Sequence, residues 1–340
     1  MRLKIEIDDQ SFFELDFGDI VYISGYNHQN MWKIYRSLYY YFNKSPMLST
    51  NIYGDDNIEI SLDDVSPSTK NTQTYFISNR DSIYQQMIYK KGNLLFENLN
   101  TLNDSFEITR ILEELNDTNT KLSLLVQEHI NNYANNLIID FEDVTYFDVL
   151  KYFLKVSYED SNRTFPLEFM ETESLVDELL NLIESSLKKA NNDTWIVLYN
   201  LDSFVSRSAK KTILNKLKEF TDRFELKVIY LGNSLTDCSI TSAETEKIVV
   251  AADEFHQLLP IENLSKSIKM RYPNDFPHST EQLVQSLIQV IPYVGNKENV
   301  SLNPRDLVLL KIVNDILGYE TSLDYSDQIL NSAETKFLLD

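Results

Sequence analysis

Gly25 closes an apolar run, Ile20 to Ser24, and opens a helical one in which Met31, Ile34, Leu38 and Tyr41 share a stripe. That is where a phosphate-binding loop sits. Such a loop needs G-x-x-x-x-G-K-[ST], because backbone amides cradle the phosphate, the lysine reaches the outer phosphates and the hydroxyl holds Mg²⁺. Here Asn30, Met31 and Trp32 stand at the second glycine, the lysine and the hydroxyl. The companion motif, an apolar strand ending in a magnesium-positioning acid, also fails. Trp195 to Leu198 runs into Tyr199 and Asn200, with Asp202 displaced by a turn. Nucleotide hydrolysis is excluded by residue type, and no complete catalytic motif replaces it. The chain is read as a binding protein and not an enzyme.

Two other groups could meet a ligand. Asp140, Glu142 and Asp143, with Asp148 nearby, gather between a short extended piece and a helix. Carboxylates converging on a loop suit a hard cation such as Ca²⁺ or Mg²⁺. They equally suit a solvated helix entry favoured by the macrodipole. A metal-dependent phosphodiesterase built on this cluster would want a His or Lys beside it, and the sequence supplies none at that spacing. Lys151 and Lys155 share a helix face, Arg163 follows, and Lys33 and Arg36 lie three apart on the helix after Gly25. These are either phosphate contacts, which hold DNA without reading it, or ordinary solvated faces. His28, His129, His256 and His278 show no metal-ligand spacing, and a single cysteine, Cys238 in a polar loop, precludes an internal disulfide.

The elements that must position these residues follow from periodicity. Arg2 to Ile7, Phe12 to Phe17, Asp19 to Ser24, Thr74 to Ile77, Trp195 to Leu198, Lys227 to Leu231 and, as the last, Lys247 to Ala251 read as strands. Ser45 to Asn71 is polar and turn-rich. Ser82 to Val156 is helical, with breaks expected at Asn103-Asp104 and Asn116-Asp117, and Thr145 with Asp148 makes a capping box. Ser174 to Lys189, Ala209 to Phe220, Ile261 to Met270, Thr280 to Ile291 and Pro304 to Leu317 are further helices. The expected fold is α/β: a P-loop-NTPase-like head sheet with degenerate nucleotide motifs, a helical leg insertion and a C-terminal helical extension. The boundaries fall at 1–81 and 173–255 for the head, 82–172 for the leg and 256–340 for the extension.

The chain has 340 residues, 43% of them hydrophobic, and a net charge of -21 from 31 basic and 52 acidic side chains. A polyanionic partner needs basic groups to replace its counterions, so DNA binding demands a locally basic face. The N-terminus alternates charged and apolar residues as a strand does, not a signal peptide. No apolar run reaches the roughly 18 residues of a membrane span. A cytoplasmic protein without a membrane partner is expected.

The order of these features resembles the CRISPR-associated Csn2 family, the adaptation protein of type II-A systems, in its long-chain subgroup. The resemblance rests on the opening hairpin Arg2 to Phe17, the degenerate loop at Gly25, the Leu94-Leu95-Phe96-Glu97 and Leu137 to Thr145 segments, Leu150-Lys151, and Asn200 to Phe204. It covers roughly Met1 to Ala252. It implies a head without nucleotide hydrolysis, a helical leg, and a homotetrameric ring that binds ends of double-stranded DNA in a basic hole. It further implies shaping by Ca²⁺, and the spacer integrase and RNA-guided effector nuclease as partners. Carried over, Asp140, Glu142 and Asp143 are the metal candidates, and Lys33, Arg36, Lys151, Lys155 and Arg163 the DNA candidates. Asn135 and Asn136 stand where further acidic residues would be expected. A nucleotide-regulated scaffold with an inactive loop is the remaining alternative.

Overall fold

The computed structural model describes residues 1–43, 58–189, 193–274, 276, 279–297, 302–320 and 332–339. The expected turn-rich stretch therefore lies partly, at 45–57, outside the described residues, as does His278. The chain divides into two compact units, Met1–Ser82 with Ala190–Asp340, and Ile83–Lys189.

The first unit is built on two sheets. Strands β1 (Arg2–Asp8), β2 (Ser11–Asp16) and β4 (Ile60–Leu62) form an antiparallel sheet of order β2-β1-β4. The larger sheet has β3 (Ile20–Ser24), β5 (Thr72–Ile77), β8 (Asp193–Tyr199), β9 (Leu226–Leu231), β10 (Ile248–Ala251) and β11 (Phe255–Gln257) in the order β11-β10-β3-β9-β8-β5. All neighbours are parallel except β10 and β11. Lys247 to Ala251 is thus not the last strand: the short bend at Asp253 returns the chain as β11, which makes the sheet mixed.

Helix α1 (His28–Asn43) turns Met31, Ile34, Leu38 and Phe42 inward. They join one cluster with Leu3, Ile5 and Phe13 of the hairpin and with Val21, Ile23, Trp195, Val197, Ile229 and Val249 of the larger sheet. The alternate residues Tyr22, Ile196, Val228 and Val250 are equally buried, so both sheet faces are covered and the strands read as continuous apolar runs. Helix α7 (Arg207–Thr221) packs on β9, and α8 (Ile261–Arg271), α9 (Thr280–Val290) and α10 (Pro304–Leu317) pack together. Short α11 (Ser332–Leu339) adds to α10. These C-terminal helices belong to the first unit. Tyr319 ties them to β11, its hydroxyl 2.8 Å from His256 Nε2. Cys238, expected in a polar loop, is fully buried, and burial pushes its thiol up to about 12.

Helix α2 (Arg80–Gln85) spans the boundary between units. The second unit contains α3 (Leu94–Asn100), α4 (Phe106–Ile130), α5 (Tyr146–Phe153), the hairpin β6 (Ser157–Asp160) and β7 (Arg163–Pro166), and α6 (Thr172–Lys189). The sequence boundary placed α6 with the head; the compact unit includes it. Helix α4 runs unbroken through Asn116-Asp117, where a break was expected. Thr118 and Thr120 hydroxyls bond back to Glu114 and Asn116 carbonyls, and the Asn116 amide finds a partner outside the helix. These polar side chains therefore do not compete with the helical backbone. Among the described helices none is long and apolar enough to cross a membrane.

Candidate nucleic-acid interface

The loop at Gly25 is shaped by its neighbour strand and not by a phosphate. A Cβ at Gly25 would fall 2.0 Å from the Ala251 carbonyl oxygen, so only glycine lets the end of β10 lie this close. The Asn27 N–H donates to that carbonyl at 3.1 Å. The Asn27 side chain accepts the Asn30 N–H at 3.0 Å and so caps α1. Asn30 spends its own amide on the Ala252 and Asp253 carbonyls, at 2.9 and 3.3 Å. Met31, at the lysine position, is buried in the core and Trp32 points to solvent. At the end of β8, Asn200 takes the left-handed conformation, φ 53°. Asp202 is held by Lys210 at 2.8 Å and by the Tyr230 hydroxyl at 3.3 Å. Lys210 is buried while the Asp202 carboxylate is partly exposed, and Tyr230's hydroxyl is pushed far up by burial. At both positions of the nucleotide machinery the side chains that would meet a nucleotide, Asn30 and Asp202, are engaged within the protein.

A cavity of about 680 Å³ opens beyond the carboxyl ends of β3, β9 and β10, lined by Tyr26, His28, Asn233, Asp253, Tyr293 and Lys297 among others. The Tyr26 hydroxyl bonds to Asp253. Burial, with that bond, pushes it up to about 12.

The five candidate cations fall into two groups, one in each unit. Lys33 and Arg36 converge on Asp8, at 2.5 and 3.0 Å, and Arg36 also donates to the Ile7 carbonyl at 2.6 Å. They brace α1 against β1. Burial raises Asp8, but the hydrogen bonds and charges of Lys33 and Arg36 outweigh it and hold the carboxyl below its usual range. Lys151, in the last turn of α5, Lys155 and Arg163 are exposed. None of these three has an ion-pair partner within 4 Å among the described residues. Lys151 lies over the Tyr152 ring at 4.9 Å. Arg163, read as a loop residue, opens β7 opposite Asp160.

Asp140, Glu142 and Asp143 lie on an extended strap that runs back along α4. The strap is gripped by amide side chains. Gln127 donates to the Leu137 carbonyl at 3.0 Å and accepts the Ile139 N–H at 2.6 Å. Asn119 donates to the Glu142 carbonyl at 3.1 Å. Asn116 donates to the Val144 carbonyl at 3.2 Å and accepts its N–H at 2.8 Å. The strap ends in the capping box expected at Thr145 and Asp148. The Thr145 hydroxyl and backbone bonds to Asp148 hold that carboxyl low. Among the described residues no three His, Cys, Asp or Glu side chains gather as a metal site.

Sequence reasoning missed the most unusual feature of the second unit. The sequence marks this stretch only as helical; in the structure α4 carries a repeat of large apolar residues, yet its one buried residue is Ser123. Leu115, Leu122 and Leu125 line an open groove of about 410 Å³ with Val144 of the strap. Phe106, Ile138, Tyr152, Phe153 and Phe169 are exposed in the same unit. The signal was present as an excess of large apolar residues over the elements available to cover them.

Comparison with known proteins adds the following. The family model described as CRISPR-associated protein Csn2 subfamily St matches residues 8–338. The fold is similar to the crystal structure of Stu0660 of Streptococcus thermophilus, with a TM-score of 0.87, 20% identity and complete coverage of both chains. A search of curated proteins gave no match.

Proposed function

Because the chain belongs to the CRISPR-associated Csn2 family, whose role is in CRISPR adaptation, we propose that it is a non-enzymatic ring of identical subunits that holds the ends of double-stranded DNA during spacer capture. The observation that carries the self-assembly is the second unit's uncovered apolar surface. Exposed apolar patches mark interaction sites, and a second copy offers the same apolar groove to bury. The DNA contacts are assigned to Lys151, Lys155 and Arg163, whose cations are not spent on carboxylates. Lys33 and Arg36, both paired with Asp8, are kept as secondary contacts. The parallel sheet with α1 leaving the end of β3 supports reading the first unit as a nucleotide-hydrolase-like fold put to another use.

Ca²⁺ enters the proposal on one condition: donors beyond Asp140, Glu142 and Asp143, from a second copy or from backbone carbonyls, complete its ligand set. The spacer integrase and the RNA-guided effector nuclease remain the proposed protein partners.

The test is a gel shift on one plasmid, cut and uncut, across a salt series with Ca²⁺ present. A ring loads by threading an end, so the cut form binds and the closed circle does not. Binding weakens steeply with salt. Lys155→Ala lowers affinity by one factor on every sequence and makes the salt slope shallower by about one unit. Equal affinity for both forms rejects threading.

A further inference from the structure

Helix α1 carries a row of three rings whose two ends the core leaves half exposed. Trp32, Tyr35 and Tyr39 recur at three and four residues, beside the inward stripe of Met31, Ile34 and Leu38. Trp32 and Tyr35 stack with centroids 5.4 Å apart and planes at 25°. Tyr35 and Tyr39 repeat the arrangement at 6.0 Å and 23°. Tyr199, from the end of β8, touches Trp32 at 5.7 Å and Tyr35 at 4.8 Å. Phe76 props Tyr35 and Tyr39 edge-on, at 5.8 and 5.1 Å. The middle ring is buried, while Trp32 is 46% and Tyr39 41% exposed. These two are the exposed large aromatic residues of the first unit among the described residues, and they sit in one row.

We propose that this row is a stacking platform for unpaired nucleobases at a DNA end. The inference rests on the DNA-end reading above. It follows from three properties of the helix. The rings are near-parallel and held from behind, so the exposed parts of Trp32 and Tyr39 are set before a ligand arrives, and every base has a face to stack on a ring. A protein partner would be met by aliphatic side chains as well, and the exposed part of this row has none. The charge of α1 also departs from that of the chain. With 52 acidic side chains in 340 residues, the 16 residues of α1 include no Asp or Glu. Each of the other described helices has at least one. Lys33 and Arg36 of the same helix, both paired with Asp8, place positive charge on it. A phosphate-linked strand can approach here without meeting helix carboxylates. Paired bases inside a duplex have both faces covered, so the platform distinguishes frayed or overhanging ends from blunt ones.

Trp195, the second of the two tryptophans, is 1% exposed, so a change in tryptophan emission on adding DNA reports Trp32. The experiment uses the full chain and three probes: a blunt duplex, the same duplex with an unpaired oligothymidine tail, and the tail alone. The tailed duplex is expected to bind about tenfold more tightly than the blunt one and to quench the emission. Trp32→Ala and Tyr39→Ala should abolish the tail advantage and leave blunt-end affinity unchanged. Trp32→Phe should restore most of the advantage. Both changed side chains are half exposed, and an unaltered melting temperature checks that the variants fold. A tail without effect on affinity or emission overturns the platform while leaving the DNA-end reading intact. So does a Trp32→Ala variant that loses blunt and tailed binding alike. Emission that shifts on dilution without DNA assigns the row to contact between copies and also overturns it. A parent chain that binds none of the probes overturns the DNA-end reading itself.

Discussion

Helices α1 and α4 carry apolar residues at the same helical spacing, but they meet different surroundings. In α1, 16 residues long, Met31, Ile34, Tyr35, Leu38 and Phe42 are buried between two sheets. In α4, 25 residues long, the one buried residue is Ser123, and Leu115, Leu122, Leu124 and Leu125 face solvent. The first unit satisfies its apolar residues internally. The second carries more apolar surface than its own elements cover. The stability of the first therefore resides in the chain, and that of the second depends on what binds it.

Substitutions at matched leucines separate the two cases. Leu38→Ala removes a fully buried side chain and should cost about 2–5 kcal/mol in urea unfolding. Leu125→Ala should cost less than about 0.5 kcal/mol in dilute protein. A loss at Leu125 equal to that at Leu38 would show that α4 is already covered within the chain. The second effect concerns assembly. Leu122→Glu with Leu125→Glu places two charges in the groove and should shift light-scattering mass toward the single chain at micromolar protein, by at least tenfold in the association constant. An unchanged mass would move the self-association surface elsewhere.

The smallest effect sharpens the comparison from the first unit's side. The Asp8 clamp is partly exposed, so Asp8→Asn should cost only about 1 kcal/mol at neutral pH after solvent screening. The folded-state carboxyl is held below its ordinary value. Its contribution is thus complete above the unfolded pKa, about 4, and is lost as pH falls through the lower folded value. Parent and variant unfolding curves should converge only in that acid range. Convergence near neutrality would mean that Lys33 and Arg36 do not pair with Asp8.

Much of the first unit was legible because its strands are buried on both faces: Ile20 to Ser24, Trp195 to Leu198 and Lys227 to Leu231 are runs that only a covered sheet accommodates. The short β11 was not, since Phe255–Gln257 is too brief to show a period. The unbroken α4 was missed because Asn116 signals a helix end only when its amide has no partner elsewhere. That partner, Val144, lies 28 residues on. The five basic candidates looked alike in the sequence. Spatial neighbours divide them, since Asp8 is distant in the chain from Lys33 and Arg36. The ring row on α1 was visible as spacing, but which rings face water depends on the hairpin and sheet packed behind them.

The strap beside α4 is gripped through its main chain: Asn116, Asn119 and Gln127 hold carbonyl and amide groups of Leu137, Ile139, Glu142 and Val144. Its path is therefore set largely by contacts to its backbone, with the Asp140 carboxylate accepting the Phe141 N–H at 2.9 Å. Residues 138, 141 and 143 can be exchanged among charged, neutral and apolar types without rerouting the segment. Charge along this edge is a freely adjustable variable, and the three amides on α4 are the fixed ones. Relatives with this architecture can differ in the acidity of the strap while superposing along its backbone, provided those three positions keep a side-chain amide.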